Sequence, residues 1–132
     1  MDLQMMGSRF LVVGGSAGIG FATARAILRE GAVVSIVGRD GDRLMRAAAE
    51  LNDVTGGVVH PVVGDVSLEG QASRAVTAAV GEMGGLDGLV VTTGLIGHEP
   101  IDIPDDRWIE VFRDVLLGTT RSVEAALPHL VA

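Results

Sequence analysis

The sequence FLVVGGSAGIGF, from Phe10 to Phe21, is the strongest indication of the fold. Its first four residues form a short apolar run of the kind found in buried strands, and two glycines follow at once. From Ile19 the apolar positions recur at helical spacing as far as Ile27, and Gly31 ends the pattern. The stretch therefore predicts a strand, a tight glycine-rich turn and a helix in direct succession.

The same alternation of elements continues along the rest of the chain. Apolar runs at 33–37, 58–63 and 86–91 are predicted as strands, with segments of helical period between them. Pro61 lies within the third run, and a residue without a backbone N–H favours a strand at the border of a sheet. Alternating strands and helices form a parallel sheet covered by helices, so we expect a single α/β domain over residues 1–132.

The composition limits the classes of protein to which the chain can belong. Of 132 residues, 48% are hydrophobic and 20% are charged, which is typical of a globular chain. The formal net charge of −7 argues against binding to nucleic acid, which requires a basic surface. No apolar run approaches the roughly 20 residues that cross a membrane. We expect neither a nucleic-acid partner nor a membrane partner.

Metal binding and secretion are also not expected. The sequence has no cysteine, and His60, His98 and His129 lie in distant segments without the close spacing of metal ligands. The segment from Met1 to Arg9 has no basic stretch followed by an apolar one, so it does not resemble a signal peptide. We expect a cytoplasmic protein with no metal site.

The turn after the first strand is the strongest indication of a ligand. Gly14, Gly18 and Gly20 allow backbone N–H groups to approach an anion closely, and the next helix adds unpaired N–H groups and a partial positive charge. A strand, such a turn and a helix in this order are typical of sites for the pyrophosphate of a dinucleotide. A flexible turn without a ligand is the alternative.

The end of the second strand indicates which dinucleotide is preferred. An acidic residue there binds the ribose 2′-hydroxyl of NAD, whereas an arginine accommodates the 2′-phosphate of NADP. Arg39 follows Gly38 at about the 20-residue separation expected for this role. We therefore predict NADP(H) rather than NAD; the alternative is an arginine that is merely exposed at a strand end. Arg43 is a candidate second cation, although we interpret it as a surface residue of the next helix.

These motifs resemble those of the short-chain dehydrogenase/reductase family, whose fingerprint is Thr-Gly-x-x-x-Gly-x-Gly. Val13 takes the place of the threonine, and Gly14, Gly18 and Gly20 match the three glycines. The resemblance continues in register over essentially all 132 residues. It implies a three-layer Rossmann-type fold with parallel strands in the order 3-2-1-4, and a chain that ends before the fifth strand of the family.

The resemblance also implies further cofactor contacts. Asp65 follows the third strand, where the family has an aspartate that accepts from the adenine amino group; the alternative is a turn or helix cap near Ser67. Residues 91–94 fall where the family has Asn-Asn-Ala-Gly at the end of its fourth strand. The predicted cofactor-binding residues are Gly14, Ser16, Gly18, Ile19, Gly20, Arg39, Asp65, Val66, Thr92 and Gly94.

The family's catalytic groups are missing from this sequence. Its reductases use a Tyr-x-x-x-Lys pair, a preceding serine and an asparagine in the long helix, but this chain has no tyrosine and its ten cationic residues are all arginine. Aligned without gaps, Val115 takes the place of the asparagine. The resemblance indicates an NADP-dependent oxidoreductase, yet we predict no catalytic residue and no hydride transfer by this chain alone. A stand-alone nucleotide-binding or regulatory module is the alternative.

The resemblance also suggests self-association. From Asp105 a long helical pattern carries apolar residues on one side as far as Leu130. With only four of the family's strands, the fourth strand would be an open edge, and the last helices would lack part of their usual cover. We therefore expect a homo-oligomer formed through the helix at 105–131 or through the open sheet edge.

Overall fold

A computed structural model describes residues 2–94, 100 and 102–132. Strands and helices alternate along the chain as the sequence predicts. The strands are β1 (Arg9–Val13), β2 (Val33–Gly38), β3 (Val59–Val63) and β4 (Gly88–Val91). The helices are α1 (Gly18–Arg29), α2 (Gly41–Thr55), α3 (Gln71–Met83), α4 (Asp105–Phe112) and α5 (Gly118–Leu130).

The four strands form one parallel sheet in the order β3-β2-β1-β4. This confirms the predicted fold class and strand order. In the register of the sheet, Val13 lies beside Val37 and Val91, and Gly38 lies beside Val63. All four strands therefore end at one edge, and the described residues that directly follow them meet there. Pro61 lies in β3, at the border of the sheet, as its missing N–H predicts.

Helices cover both faces of the sheet and bury two aliphatic clusters. On one face, Val12, Val34 and Ile36 pack with side chains of α1 and α2. On the other face, Leu11 and Val13 pack with side chains of α3 and with Ala126 of α5. The central strands β1 and β2 read as nearly continuous apolar runs because both of their faces are buried.

The long helical pattern after Asp105 is divided in the structure. A π-helical turn, Arg113–Leu117, lies between α4 and α5. Neither α4 nor this turn contains a buried residue. In α5, by contrast, Gly118 packs closely on Val66, where an added Cβ would lie 3.1 Å from the valine Cγ2. The extra residue of the π turn shifts the side-chain register, so the apolar pattern does not continue on one straight face.

Within the described residues, no helix is both long enough and apolar enough to cross a membrane.

Candidate functional site at the carboxyl edge of the sheet

A cleft of about 450 Å³ lies where the four strands end. Its wall is formed by the glycine-rich turn, the ends of β2 and β4, the loop after β3 and Asp114 of the π turn. Seven of the ten predicted cofactor-binding residues lie in this wall. They are Gly14, Ser16, Arg39, Asp65, Val66, Thr92 and Gly94.

The other three predicted residues, Gly18, Ile19 and Gly20, begin α1 beside the cleft without lining it. Gly20 is buried, and a Cβ there would overlap the carbonyl oxygen of Gly14. Gly18 has a φ of +54° and open space around it. Glycine is favoured at this position because of the positive φ, and an added Cβ would meet no neighbouring atom. Ile19 is 75% exposed. Direct contact between these residues and a cofactor stays a prediction.

Backbone geometry explains Gly14 at the first position of the turn. Its φ is +89°, and a Cβ there would lie 2.7 Å from Oγ1 of Thr92 and 3.1 Å from the amide of Thr93. Thr92 donates from its amide to the carbonyl of Val13 at 2.9 Å, and its Oγ1 lies 3.0 Å from the same oxygen. The turn and the end of β4 are therefore held tightly together at the base of the cleft.

The first turn of α1 leaves its donors free. The N-cap residue, Ala17, provides no side-chain acceptor, and the first turn contains no acidic residue. Within the described part of the chain, the amides of Gly18, Ile19 and Gly20 have no hydrogen-bond acceptor, and the first bonded amide is that of Phe21. Unpaired N–H groups at a helix start attract anions.

The next helix begins differently. The side chain of Asp40 caps α2, because its Oδ1 accepts from the amide of Arg43 at 3.1 Å. Asp42 adds a second carboxylate to the first turn of this helix. Asp40 lies in the cleft wall next to Arg39, yet one of its oxygens is engaged in holding α2.

Arg39 has a partner that the sequence did not indicate. Its Nη1 lies 3.6 Å from Oδ2 of Asp114. The arginine side chain is 61% exposed and that of Asp114 only 12%. Among the described residues of the cleft wall, sequence reasoning misses two charged side chains, Asp40 and Asp114, and sets Arg43 aside. Asp114 lies far from Arg39 along the chain, so no local pattern could have paired them.

Asp65 takes part in a local turn with Ser67, which matches the alternative interpretation of this residue as a turn or helix cap. Its Oδ1 accepts from the amide of Ser67 at 3.0 Å and from the hydroxyl of Ser67 at 2.6 Å. The residue still lines the cleft. Its role towards adenine stays a prediction.

Val115, which takes the place of an asparagine of the family pattern, lies near the residues that follow β4. Val115 lies close to Gly94, since a Cβ on Gly94 would be 3.9 Å from the valine Cγ2. Val115 is 45% exposed and belongs to an apolar groove on α4 and the π turn. The apolar groove is lined by Trp108, Ile109, Val111, Phe112, Val115 and Leu116.

A second groove, of about 660 Å³, lies at the opposite edge of the sheet around Gly31, Ala32 and Val58. It is larger than the cleft, but ligands of open parallel sheets bind at the carboxyl ends of the strands. At this amino edge Arg9 binds Asp87, with its Nε 2.8 Å from Oδ2. Hydrogen bonds from the Arg9 side chain and amide lower the pKa of Asp87 to about 2. The described residues contain no cluster of three metal-ligating side chains.

Comparison with known proteins gives a consistent result. The family model of the short chain dehydrogenases matches residues 8–132. A hexahydroindene-carboxyl-CoA reductase of Mycobacterium tuberculosis is 39% identical over 128 residues, which are 95% of this chain and 49% of that protein. The chain thus spans about half the length of the curated relatives that it matches.

Solved structures agree with this match. The L-sorbose reductase of Gluconobacter frateurii, complexed with NADPH and L-sorbose, has a TM-score of 0.91 at 30% identity, covering 98% of this chain and 50% of its own. An NADH-dependent reductase responsible for alginate metabolism has a TM-score of 0.86 at 28% identity, covering 96% of this chain and 52% of its own. The chain belongs to the short chain dehydrogenase family.

Proposed function

We propose that this chain is the NADP(H)-binding portion of a short-chain oxidoreductase. The observation that carries the proposal is the cleft at the carboxyl edge, where the glycine-rich turn and Arg39 face one cavity of about 450 Å³. The similar L-sorbose reductase, whose structure contains NADPH, supports the choice of cofactor. Another similar protein is an NADH-dependent reductase, so the titrations must compare NADPH with NADH.

The residues of the cleft fit a dinucleotide. The free amides of Gly18, Ile19 and Gly20 at the start of α1 can donate to a pyrophosphate. Arg39 can bind a 2′-phosphate, and Asp65 can accept from the adenine amino group through Oδ2, because Ser67 engages only Oδ1. When bound, the nicotinamide ring supplies the hydride-transfer chemistry. The chain's own residues bind and orient the cofactor.

We also propose that these 132 residues alone do not transfer hydride. A general acid must reach the reacting carbonyl oxygen, and the family's tyrosine and lysine have no counterpart in this sequence. Val115 offers no polar atom near Gly94. Activity, substrate and reaction partners of a longer protein would depend on residues outside this chain.

A stand-alone nucleotide-binding module is the second candidate. The observation that favours it lies within the matched region, where Val91, Thr92 and Val115 replace three asparagines of the family pattern. Such a module would bind NADPH tightly without a partner. It would also remain inactive when joined to a polypeptide that carries the remaining strands of the fold.

Self-association is proposed through α4 and the apolar groove. Trp108 and Phe112 are 48% and 50% exposed, and with Ile109, Val115 and Leu116 they form a contiguous apolar surface. Such a surface is unfavourable in water and marks an interaction site. Sedimentation velocity at micromolar concentration tests the proposal: we expect a dimer or larger assembly, and a monomer would contradict it. We likewise propose that the protein is cytoplasmic.

Calorimetric titration of the chain with NADPH and with NADH tests the cofactor proposal. Calorimetry is preferable to tryptophan fluorescence because Trp108 lies outside the cleft. We expect both nucleotides to bind, with NADPH tighter, and no consumption of NADPH with carbonyl compounds. If neither nucleotide binds, the proposed function is wrong; if NADH binds more tightly, the role assigned to Arg39 is wrong.

A further inference from the structure

Cations and carboxylates lie together in the cleft wall, so the 2′-phosphate contact depends on how they are paired. Among the residues that the structure describes, the wall contains two cations, Arg39 and Arg43, and three carboxylates, Asp40, Asp65 and Asp114, which together carry a net charge of −1. A phosphate monoester carries close to two negative charges at neutral pH. Selectivity for the phosphate therefore depends on which cation is free of a carboxylate.

Arg39 is the less available of the two cations. Asp114, whose side chain is only 12% exposed, has its carboxylate 3.6 Å from the guanidinium of Arg39. A carboxylate so little exposed to water needs a counter-charge nearby. A phosphate bound by Arg39 would have to share the guanidinium with this carboxylate and would be repelled by it.

Arg43 has no such competitor. Among the residues that the structure describes, its guanidinium has no hydrogen-bond or ion-pair partner, because Asp40 engages only its backbone amide. Its side chain lines the cleft and also an adjoining groove of about 360 Å³ between the start of α1 and α2. Ser16 and Ala17 line both spaces as well, so Arg43 faces the glycine-rich turn.

We propose that Arg43, beside Ser16, is the main residue that recognises the 2′-phosphate, and that Arg39 is restrained by Asp114. This inference rests on the proposed function. It assigns the selectivity for NADP(H) over NAD(H) to Arg43, which the sequence alone predicts to be a surface residue of α2. A guanidinium at Arg43 can bind the phosphate through two N–H groups, and the Ser16 hydroxyl can donate a further hydrogen bond.

The test compares adenosine 2′,5′-bisphosphate with 5′-AMP in calorimetric titrations of the full chain. These probes differ only in the 2′-phosphate and need no contact beyond the adenosine side. We expect Arg43→Ala to weaken 2′,5′-bisphosphate binding about tenfold or more while AMP binding changes less than twofold. Arg46→Ala is the matched control, because Arg46 lies one turn further along α2 and lines only the adjoining groove. Arg46→Ala should change the affinity for adenosine 2′,5′-bisphosphate and the affinity for 5′-AMP less than twofold.

Two more variants examine the restraint on Arg39. Asp114→Asn should tighten 2′,5′-bisphosphate binding severalfold, because it removes the competing carboxylate. Arg43→Lys should keep part of the selectivity, because it retains the positive charge. Equal thermal unfolding midpoints for the Arg43 and Arg46 variants would show that the fold is intact. The inference is overturned if Arg43→Ala leaves the selectivity unchanged or if Arg39→Ala alone abolishes it.

The same titrations separate this inference from the proposed function. If the unaltered chain binds neither compound, the proposed function fails and the inference fails with it. If both compounds bind with equal affinity, dinucleotide binding survives, whereas NADP selectivity and the role of Arg43 are refuted. If selectivity is present but independent of Arg43, only the inference is refuted.

Discussion

The starts of α1 and α2 lie on the same edge of the sheet, yet only α2 has a side chain that accepts a hydrogen bond from its first-turn amides. α2 is capped by Asp40 and has Asp42 in its first turn. α1 begins at glycines with neither a capping side chain nor an acidic residue. An uncapped helix start costs stability that a single Ser, Asp or Asn would restore. The side chain of Asp40 therefore completes the start of α2, and we propose that an anion completes the start of α1.

The largest effect is expected at Gly20, where α1 approaches the glycine-rich turn. Gly20→Ala places a Cβ against the carbonyl oxygen of Gly14, and backbone atoms can yield only by moving the helix. We expect a loss of about 3 kcal/mol in the free energy of unfolding, measured by urea denaturation, together with loss of NADPH binding. Gly18→Ala is the control: its Cβ meets no atom within 4 Å, so only the strain of its positive φ remains, about 1 kcal/mol. Equal losses would contradict this packing account.

The next effect comes from giving α1 the cap that α2 already has. Ala17→Asp places a carboxylate at the N-cap, where the backbone is extended, with φ −161° and ψ 171°. It should raise the free energy of unfolding by about 0.5–1 kcal/mol and weaken NADPH binding at least tenfold, because the carboxylate occupies and repels the anion site. Unfolding and calorimetric measurements on the same protein check both changes. Tighter or unchanged NADPH binding would show that no anion binds at this helix start.

The reverse change removes the cap of α2. Asp40→Ala should lower the free energy of unfolding by about 1 kcal/mol, since the amide of Arg43 loses its acceptor. NADPH binding should not weaken, because the variant removes a negative charge from the cleft wall. Thermal unfolding and calorimetry again provide the measurements. Weaker NADPH binding with unchanged stability would make Asp40 a ligand-binding residue and not a cap.

The smallest effect is electrostatic and lies at the amino edge, away from both helix starts. The pKa of Asp87 is lowered from 3.8 to about 2 by hydrogen bonds from Arg9. Because the folded pKa is the lower one, this stabilisation is fully present above about pH 4 and is lost as the pH falls towards 2. Asp87→Asn should flatten the acid limb of a plot of stability against pH. Since both side chains are partly exposed, the change should be small. An unchanged acid limb would mean that the pair contributes nothing.

Much of this architecture follows from local sequence patterns. Short apolar runs bounded by glycines predicted all four strands, and Pro61 placed β3 at the border. The strand order came from the family resemblance, which the structure and the family match both confirm. Seven predicted residues meet in one cleft because the carboxyl ends of parallel strands share an edge.

The remaining features depend on contacts between distant segments or on small shifts in register. The pair formed by Arg39 and Asp114 joins the residue after β2 to the π turn, and no sequence spacing encodes that contact. The apolar spacing in the sequence runs on through residues 113–117, so it does not indicate the π turn that rotates the side chains that follow. The sequence alone indicates a surface residue at Arg43, because an exposed arginine on a helix has no distinctive pattern; the cleft geometry shows what it faces.

Hydrogen exchange of the backbone amides, with and without NADPH, tests whether the cofactor binds in the cleft at the carboxyl edge. The cleft and the larger groove at the amino edge lie at opposite ends of the same strands, so each serves as the reference for the other. We predict slower exchange on NADPH addition at residues 16–20, 38–40 and 64–66, with no change at 29–33 or 54–58. Protection at the amino edge, or no protection at the glycine-rich turn, would contradict the assignment of the carboxyl-edge cleft as the cofactor site.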